Sequence, residues 1–245
     1  MYWGYKMDQL TVLGKYGPYA KEGSGTSAYL LLMGGKKMLL DCGTGALRAL
    51  GESILELDCL ILSHLHPDHV CDVLLLEQSL RMLDPDHKLD VYLPKTDGPV
   101  YDLIGSLDAF SIIPLTGETE FVRGDVSFKM IPLSHPLLSY GVRICHKDKV
   151  FAYTGDTTVD DGLLPLLQGA DLALMDAAFT EKTLPSPAAH LSALQAAKYA
   201  EKAGAKALLL THVHPRGDEA AMASEAKREF CGPVSVVIEG AVYDF

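Results

Sequence analysis

Short apolar runs with a two-residue period alternate along the chain with segments whose apolar residues recur every three or four positions. The first pattern predicts β-strands and the second predicts amphipathic helices. The predicted strands are 9–13, 27–33, 37–41, 58–62, 126–133, 141–145, 150–154, 171–175, 207–210 and 234–238. The predicted helices are 68–83, 161–167, 193–202 and 219–230. Strands dominate the first half and alternate with helices in the second, so the pattern predicts a layered α/β fold.

The predicted helix over 193–202 has well-marked ends. Ser192 and Gln195 form an S-x-x-Q capping box, in which the two side chains bond reciprocally to backbone N–H groups. Gly204 stands where a glycine C-cap is expected. These signals place His190 just before a helix N-terminus, where the helix dipole favours an anion.

Length and composition favour one globular domain over residues 1–245. The chain is 48% hydrophobic and 22% charged, without linkers or repeats, and its length suits a single well-buried core. No run of 18 apolar residues occurs, and the opening MYWGYKMDQL lacks the features of a signal peptide. Five cysteines without C-x-x-C spacing fit reduced thiols. We therefore expect a cytoplasmic protein that makes no use of a membrane.

The net charge of −11 changes the expected partners. An acidic surface repels polyanions at long range, which argues against an extended nucleic-acid surface. A small phosphate-bearing ligand stays compatible with this charge if a local cationic site attracts it. Surface lysines do not provide an obvious site of that kind.

The stretch SHLHPDH, directly after the apolar run 60–62, concentrates three histidines and an aspartate. A strand that turns into a helix here can direct His64 and His66 one way, while Asp68 and His69 open the helix with another face. Four ligand-type groups then converge on two nearby points. Neutral imidazole and carboxylate are the groups that bind zinc, and a hydrolytic zinc keeps one position open for water. The stretch therefore predicts a metal site rather than an ordinary polar loop.

Three more ligand-type residues follow strand-like segments elsewhere. His135 ends FKMIPLSH, Asp156 ends VFAYTGD and His212 ends ALLLTH. A single strand-end histidine is often only a structural residue. Four strand ends with ligand chemistry support one another, because strand ends are what can meet at one edge of a sheet.

The combination of H-x-H-x-D-H, the later YTGDT and LTH, and the earlier LLDCGTG resembles the metallo-β-lactamase-fold hydrolases. The resemblance is to the branch of ribonuclease Z and the cyclic-phosphate diesterases, and it extends over nearly the whole chain. It implies an α/β fold of the metallo-β-lactamase type, an αββα sandwich in which helices flank two mixed β-sheets.

The same resemblance implies two Zn²⁺ ions as cofactors, with Mn²⁺ or Fe²⁺ as substitutes. It implies that His64, His66 and His135 hold one ion, that Asp68, His69 and His212 hold the other, and that Asp156 bridges them. Asp41, in LLDCGTG, would lie behind the ions and orient ligand histidines. The alternative for Asp41 is a turn residue before two glycines.

The segment HLSA at His190 indicates the reaction. Members of the branch that cleave phosphodiesters carry a similar histidine, which meets the phosphate or protonates the leaving group. We predict Asp68 and His190 as the catalytic residues, with a metal-bridging hydroxide as nucleophile and His190 as general acid. Ribonuclease Z pairs this histidine with a glutamate, whereas the comparable position here is Ala152. The acid strength of His190 and the substrate class therefore stay open at this point.

The predicted substrates are small phosphodiesters, such as cyclic nucleotides or cyclic phosphates. Ribonuclease Z grips tRNA with a long inserted arm, but His135 and Asp156 are only 21 positions apart and no such insertion is found. Hydrolysis of a carboxylic ester, thioester or lactone is the alternative, and tRNA 3′ processing or a non-catalytic metal-bound carrier is less favoured. Relatives of this branch are commonly dimers, which implies a homodimer. His214 is interpreted as a loop residue at the pocket rim, and Asp176 as a supporting or turn residue.

Overall fold

Fourteen strands form two seven-stranded sheets in residues 8–245, the part of the chain that the computed structural model describes. Residues 1–7 of the predicted single domain, and most of the stretch interpreted as lacking a signal peptide, lie outside these described residues. In the first sheet the strands lie in the order β14 (Val242–Asp244), β1 (Gln9–Gly14), β2 (Ala28–Met33), β3 (Lys36–Leu40), β4 (Cys59–Ile61), β5 (Leu89–Pro94) and β6 (Phe110–Leu115). In the second sheet the order is β13 (Val234–Val236), β12 (Leu208–Thr211), β11 (Leu172–Asp176), β10 (Lys149–Tyr153), β9 (Ser139–His146), β8 (Val126–Leu133) and β7 (Thr119–Arg123).

Both sheets are mixed in the same manner. Strands β3 to β6 are parallel in the first sheet, as are β10 to β13 in the second, and the remaining pairs are antiparallel. Parallel strands of one sheet end at the same edge. Residues that follow β4 therefore lie at that edge of the first sheet, and residues that follow β10, β11 and β12 lie at that edge of the second.

Helices cover the outer face of each sheet. The first half contains α1 (Ala46–Leu50), a 3₁₀ helix (Gly51–Glu56), α2 (Pro67–Val70), α3 (Val73–Leu83) and α4 (Pro99–Gly105). The second half contains α5 (Leu163–Leu167), α6 (Ala193–Lys202) and α7 (Glu219–Glu229). Within residues 8–245, no helix is long and apolar enough to cross a membrane.

Three apolar cores hold these layers together. One lies between the sheets and includes Tyr29, Phe151 and Tyr153. The second lies between the second sheet and α5 to α7, and the third between the first sheet and its helices. Alternate residues of one strand enter different cores, as Phe151 and Ala152 do. The predicted αββα sandwich with two mixed sheets is confirmed.

The predicted helix over 68–83 is wrong in one respect, because it is broken between α2 and α3. The cause is a contact that is distant in sequence. The backbone N–H of Cys42 donates to the carbonyl of His69 (2.8 Å), and the N–H of Asp72 donates to the carbonyl of Cys42 (3.0 Å). These bonds replace helical ones, so α2 stays short and its two ligand-type residues remain at the sheet edge.

The segment 89–123 contains three strands and a helix that the apolar pattern did not predict. Two of these strands contain a proline, Pro94 in β5 and Pro114 in β6. Proline lacks a backbone donor and weakens a sequence-based assignment to a strand. Strand β6 lies at the edge of the first sheet, where a missing donor is tolerated.

Candidate metal centre and active site

The loops at the ends of four strands bring all seven predicted ligands together. His64 and His66 follow β4, and the short helix α2 adds Asp68 and His69. The other three residues follow β8, β10 and β12 of the second sheet: His135, Asp156 and His212. The site therefore lies where the two sheets meet, and it takes side chains from both.

Three histidines form the first group. His66 Nδ1 lies 2.9 Å from His64 Nε2 and 3.1 Å from His135 Nε2. His64 is buried, whereas His66 and His135 are only half-buried. The other ring nitrogen of His135, Nδ1, lies 3.0 Å from the carbonyl oxygen of Ala189, which fixes this ring.

The second group is buried. His212 Nε2 lies 3.2 Å from Asp68 Oδ2, and His69 Nε2 lies 3.7 Å from the same oxygen. Asp68, His69 and His212 are each less than 10% exposed. Such burial removes water from around these donors.

Asp156 lies between the two groups. Its Oδ1 is 3.3 Å from His69 Nε2, and its Oδ2 is 3.1 Å from His212 Nε2. The same Oδ2 is 3.6 Å from His64 Nε2 of the first group. One buried carboxylate thus contacts both groups, which is the position of a bridging ligand.

The donors fit a pair of metal ions. His64, His66, His135 and Asp156 offer atoms within 4.8 Å of one another, and so do Asp68, His69 and His212. Three atoms of the candidate ligands, His69 Nε2, Asp156 Oδ1 and His212 Nδ1, are buried without a hydrogen-bond partner. Buried polar atoms normally have partners, so His69 Nε2 and Asp156 Oδ1, which lie 3.3 Å apart, are available for a cation.

The electrostatics agree with this fit. Burial lowers the pKa of His64 well below its ordinary value and also lowers the pKa of His66 and His135. These imidazoles are therefore neutral, the form that binds metal. Burial opposes charging of His69, yet Asp156 and Asp41 raise its pKa well above its ordinary value. The carboxylates around His69 thus stabilise a positive charge between them.

Asp41 supports the buried group from behind, as expected for a residue that orients ligand histidines. Its Oδ2 accepts hydrogen bonds from His69 Nδ1 (2.8 Å), Tyr153 Oη (2.6 Å) and Ser63 Oγ (2.9 Å), and its Oδ1 accepts one from the Ser63 N–H (2.7 Å). These bonds direct His69 Nε2 towards Asp156. The sequence analysis did not identify Tyr153 or Ser63; Ser63 adjoins the motif, but nothing in the sequence indicates Tyr153.

Two residues at the site have a strained backbone. Asp41 and His212 have φ angles of 56° and 54°, in the left-handed region, which costs non-glycine residues roughly 1–3 kcal/mol. Gly17 packs directly against His212: a Cβ at position 17 would lie 1.9 Å from His212 Nε2. The loop after β1 therefore needs glycine there for His212 to keep its orientation.

His190 has an acidic partner, Asp176, which the sequence analysis interpreted only as a supporting or turn residue. Its Nδ1 lies 3.0 Å from Asp176 Oδ2, at the end of β11, and 3.9 Å from Asp156 Oδ2. Ala152 is fully buried in the core beside α5 and α6. A carboxylate from the neighbouring parallel strand, that of Asp176, thus lies beside His190, where the sequence comparison found only Ala152.

The Asp176 carboxylate is itself fixed and controls the charge of His190. Its Oδ2 accepts a hydrogen bond from the Thr157 N–H at 3.0 Å. Burial opposes protonation of His190, but Asp176 outweighs it and raises the pKa of His190 to about 9. The Asp176 carboxylate thus favours the protonated form of His190. His214, by contrast, belongs to none of the groups of clustered ligand atoms found in residues 8–245.

The fold and this donor set agree with a match to a known family. The sequence model of the beta-lactamase superfamily domain matches residues 36–213, so the chain belongs to that superfamily. The resemblance to metallo-β-lactamase-fold hydrolases of the ribonuclease Z branch is thereby confirmed.

Individual relatives cover nearly the whole chain. The probable metallo-hydrolase YhfI of Bacillus subtilis is 28% identical over 242 residues, which cover 96% of this chain and 99% of that protein. Its crystal structure has a TM-score of 0.91 at 29% identity and covers 98% of this chain and 100% of that one.

Two further matches are more distant. Ribonuclease Z of Sulfolobus acidocaldarius is 26% identical over 246 residues, with 78% of this chain and 83% of that protein covered. The crystal structure of a diphosphatase of the PhnP family has a TM-score of 0.74 at 21% identity and covers 97% and 98% of the two chains. That likeness shows the fold alone. Family and donor set together define a metallo-hydrolase of the β-lactamase fold that uses a divalent metal.

Proposed function

We propose that this protein is a dizinc phosphodiesterase that hydrolyses small phosphodiesters. The observation that carries the proposal is the position of His190 beside Asp156 and His212, with Nδ1 held by Asp176. Nε2 is then the nitrogen available to a substrate. A protonated imidazole next to a dinuclear site suits a reaction that needs both an activated water and a proton for the leaving oxygen.

The residues divide this chemistry between them. Bound divalent ions supply a nucleophilic water at neutral pH and neutralise phosphoryl charge. The Asp68 carboxylate accepts a hydrogen bond from the attacking water and orients it towards phosphorus. His190 Nε2 donates its proton to the departing oxygen, and Asp176 stabilises the charged imidazole until that transfer.

Three observations favour a small phosphodiester. A ribonuclease occurs among the similar proteins, which favours phosphodiester chemistry. The chain between His135 and Asp156 forms β9 and β10 of the sheet, so no arm for a long RNA extends there. The net charge of −11 also disfavours a polyanion.

The first experiment measures metal content. Seven donors with one bridging carboxylate satisfy two ions, so protein purified without chelators should contain about two zinc, manganese or iron ions per chain. A ratio that stays at or below one after incubation with excess zinc would contradict the dinuclear proposal.

The second experiment tests His190 and the reaction class. Wild-type protein is assayed against 2′,3′-cyclic nucleotides, bis-p-nitrophenyl phosphate, a thioester and a lactone. His190→Ala should keep both ions but lose roughly 10²- to 10⁴-fold in turnover of the cyclic nucleotide. The loss should be smaller with p-nitrophenolate, because that leaving group needs less protonation.

The control for this variant is His146→Ala, since His146 lies far along β9 and pairs with Asp125 at the surface. The His146→Ala variant should turn over the cyclic nucleotide at the wild-type rate. If His190→Ala loses an ion, His190 is a ligand rather than an acid. If only the thioester or lactone is cleaved, the phosphodiesterase proposal is wrong and the alternative, a hydrolase of carboxylic esters, thioesters or lactones, replaces it.

A further inference from the structure

Three aromatic rings from three different loops form a continuous row beside His190. Phe179 follows β11, His214 follows β12, and Tyr19 lies in the loop after β1. The ring of His214 stacks on Phe179 (centroids 5.6 Å apart, 26° between planes) and meets Tyr19 edge-on at 5.8 Å. The Phe179 ring lies 6.3 Å from the ring of His190. We refer to Tyr19, Phe179 and His214 as the aromatic row.

Backbone hydrogen bonds hold the three loops together. The Gly17 N–H donates to the Val213 carbonyl (3.2 Å), and the His214 N–H donates to the Ala178 carbonyl (3.2 Å). The Ala193 N–H donates to the Phe179 carbonyl at 2.9 Å, which ties this loop to the start of α6. The backbones of the three loops are thus held together before any ligand binds.

The orientation of the His214 ring is also fixed. Its Nδ1 accepts a hydrogen bond from the Arg216 N–H at 3.2 Å. Nδ1 therefore carries a lone pair rather than a proton. The face of the ring lies against Phe179. This contact uses the ring for a purpose other than metal binding.

The row is open to solvent at the end away from the metal site. Tyr19 is 47% exposed, and Phe179 and His214 are half-buried. At its inner end the row reaches His190, whose ring stacks on the ring of the candidate ligand His212 (centroids 4.8 Å apart). A flat substrate group that lies along the row is thus adjacent to the residue that protonates the leaving oxygen.

We propose that the aromatic row is a stacking platform for the nucleobase of the substrate, on the side of the leaving oxygen. This inference rests on the proposed function and narrows its substrate class to nucleoside cyclic phosphates. Every base has a π-face, so stacking on aromatic rings binds nucleobases without selecting their sequence. A base needs no surface cations, which suits an acidic protein.

An apolar cavity next to the other histidines is the competing position for the base. It has a volume of about 170 Å³ and is lined by residues that include Leu65, Tyr101 and Leu137. Leu65 precedes His66 and Leu137 follows His135 by two positions, so the cavity lies near the first ligand group. Its lining includes neither His190 nor a candidate ligand, whereas the aromatic row reaches the ring of His190 through Phe179.

The test compares a base-bearing substrate with a base-free one. Wild-type protein and the variants Tyr19→Ala and Phe179→Ala are assayed with 3′,5′-cyclic AMP and with ribose 3′,5′-cyclic phosphate. Each variant should lose about 5- to 150-fold in kcat/KM for cyclic AMP, the range for one stacked base. The loss should be much smaller for the base-free substrate.

Two further variants serve as controls. Tyr19→Phe keeps the ring and should behave as wild type. Tyr101→Ala alters the competing cavity, and it should leave turnover of cyclic AMP unchanged. A loss with Tyr101→Ala and none with Tyr19→Ala would overturn the platform assignment.

A binding measurement separates this inference from the proposed function. By calorimetry, AMP should bind the wild type more tightly than ribose 5-phosphate does, and Tyr19→Ala should remove most of that difference. If these two cyclic phosphates, the 2′,3′-cyclic nucleotides and bis-p-nitrophenyl phosphate are all left intact, the proposed function fails, while the calorimetry still decides on the platform. If both are cleaved and the two ligands bind equally, only the platform is wrong.

Discussion

The two ligand groups share one bridging carboxylate but differ in how they are supported. The group of Asp68, His69 and His212 is buried, and the Asp41 carboxylate holds it from behind through His69. In the group of His64, His66 and His135 only His64 is buried, and His135 is held by a single backbone carbonyl, that of Ala189. One group is buried throughout, and the other is half-exposed at His66 and His135.

Because of this difference, one group is suited to tight binding of an ion and the other to the approach of a substrate. Fixed donors in a dry environment hold an ion tightly, because supporting hydrogen bonds fix the rings and raise their basicity. Half-exposed donors leave room for a substrate to approach. The buried group therefore anchors the site, and the open group leaves space for a substrate.

Removal of the Asp156 carboxylate, which both ligand groups share, should abolish the difference between the two groups. Asp156→Asn removes the negative charge that contacts His64, His69 and His212. We expect loss of both ions and a fall in turnover of more than about 100-fold, beyond the usual effect of a supporting residue. Metal analysis and kinetics on the same sample check this.

The matched control is Asp161→Asn, an exposed aspartate near the start of α5. It should keep two ions and full activity. Retention of one tightly bound ion in Asp156→Asn would mean that the buried group does not depend on the bridge.

Loss of the support behind the buried group should make the two groups more alike. Asn at position 41 tolerates the left-handed backbone but cannot supply the charge that orients His69. Asp41→Asn should lower metal affinity about 10- to 100-fold, with one of the two ions affected more than the other. Competition with a chromogenic zinc chelator measures both affinities.

If both ions weaken equally in Asp41→Asn, the buried group is not supported independently. Thr157→Ser is a suitable control, since Thr157 contacts Asp176 only through its backbone N–H. This variant should keep both affinities.

Weakening the helix cap next to the group of His64, His66 and His135 should have the smallest effect on metal affinity. The capping box of α6 is present as predicted: Ser192 Oγ accepts from the Gln195 N–H at 3.1 Å, and the Gln195 side chain accepts from the Ser192 N–H. Ser192→Ala should lower the free energy of unfolding by about 1 kcal/mol, as measured by urea denaturation.

Ser192→Thr keeps a hydroxyl and should retain most of the stability. The effect of Ser192→Ala on metal affinity should stay below the tenfold expected for Asp41→Asn, although the segment before α6 supports His135 and His190. A larger effect would show that the open group is also held by the core.

Much of the site could be predicted because its residues follow strands. Parallel strands of one sheet end at the same edge, so Asp156 and His212, which follow β10 and β12, meet there whatever the details of the loops, whereas the approach of His64 depends on how the two sheets pack. Contacts between distant backbone atoms could not be predicted. The break in the helix over 68–83 depends on Cys42, and the partner of His190 depends on how β10 and β11 pair, which placed Asp176 rather than residue 152 beside it.

The division of the ligands between two sheets has a consequence for biosynthesis. A nascent chain that has emerged only as far as the end of β6, at Leu115, carries four of the seven candidate ligands, His64, His66, Asp68 and His69. His212 emerges almost a hundred residues later. The group of His64, His66, His135 and Asp156 is therefore complete once Asp156 has emerged, and the group of Asp68, His69 and His212 only after His212. An ion held by either group would tie the early sheet to the late one.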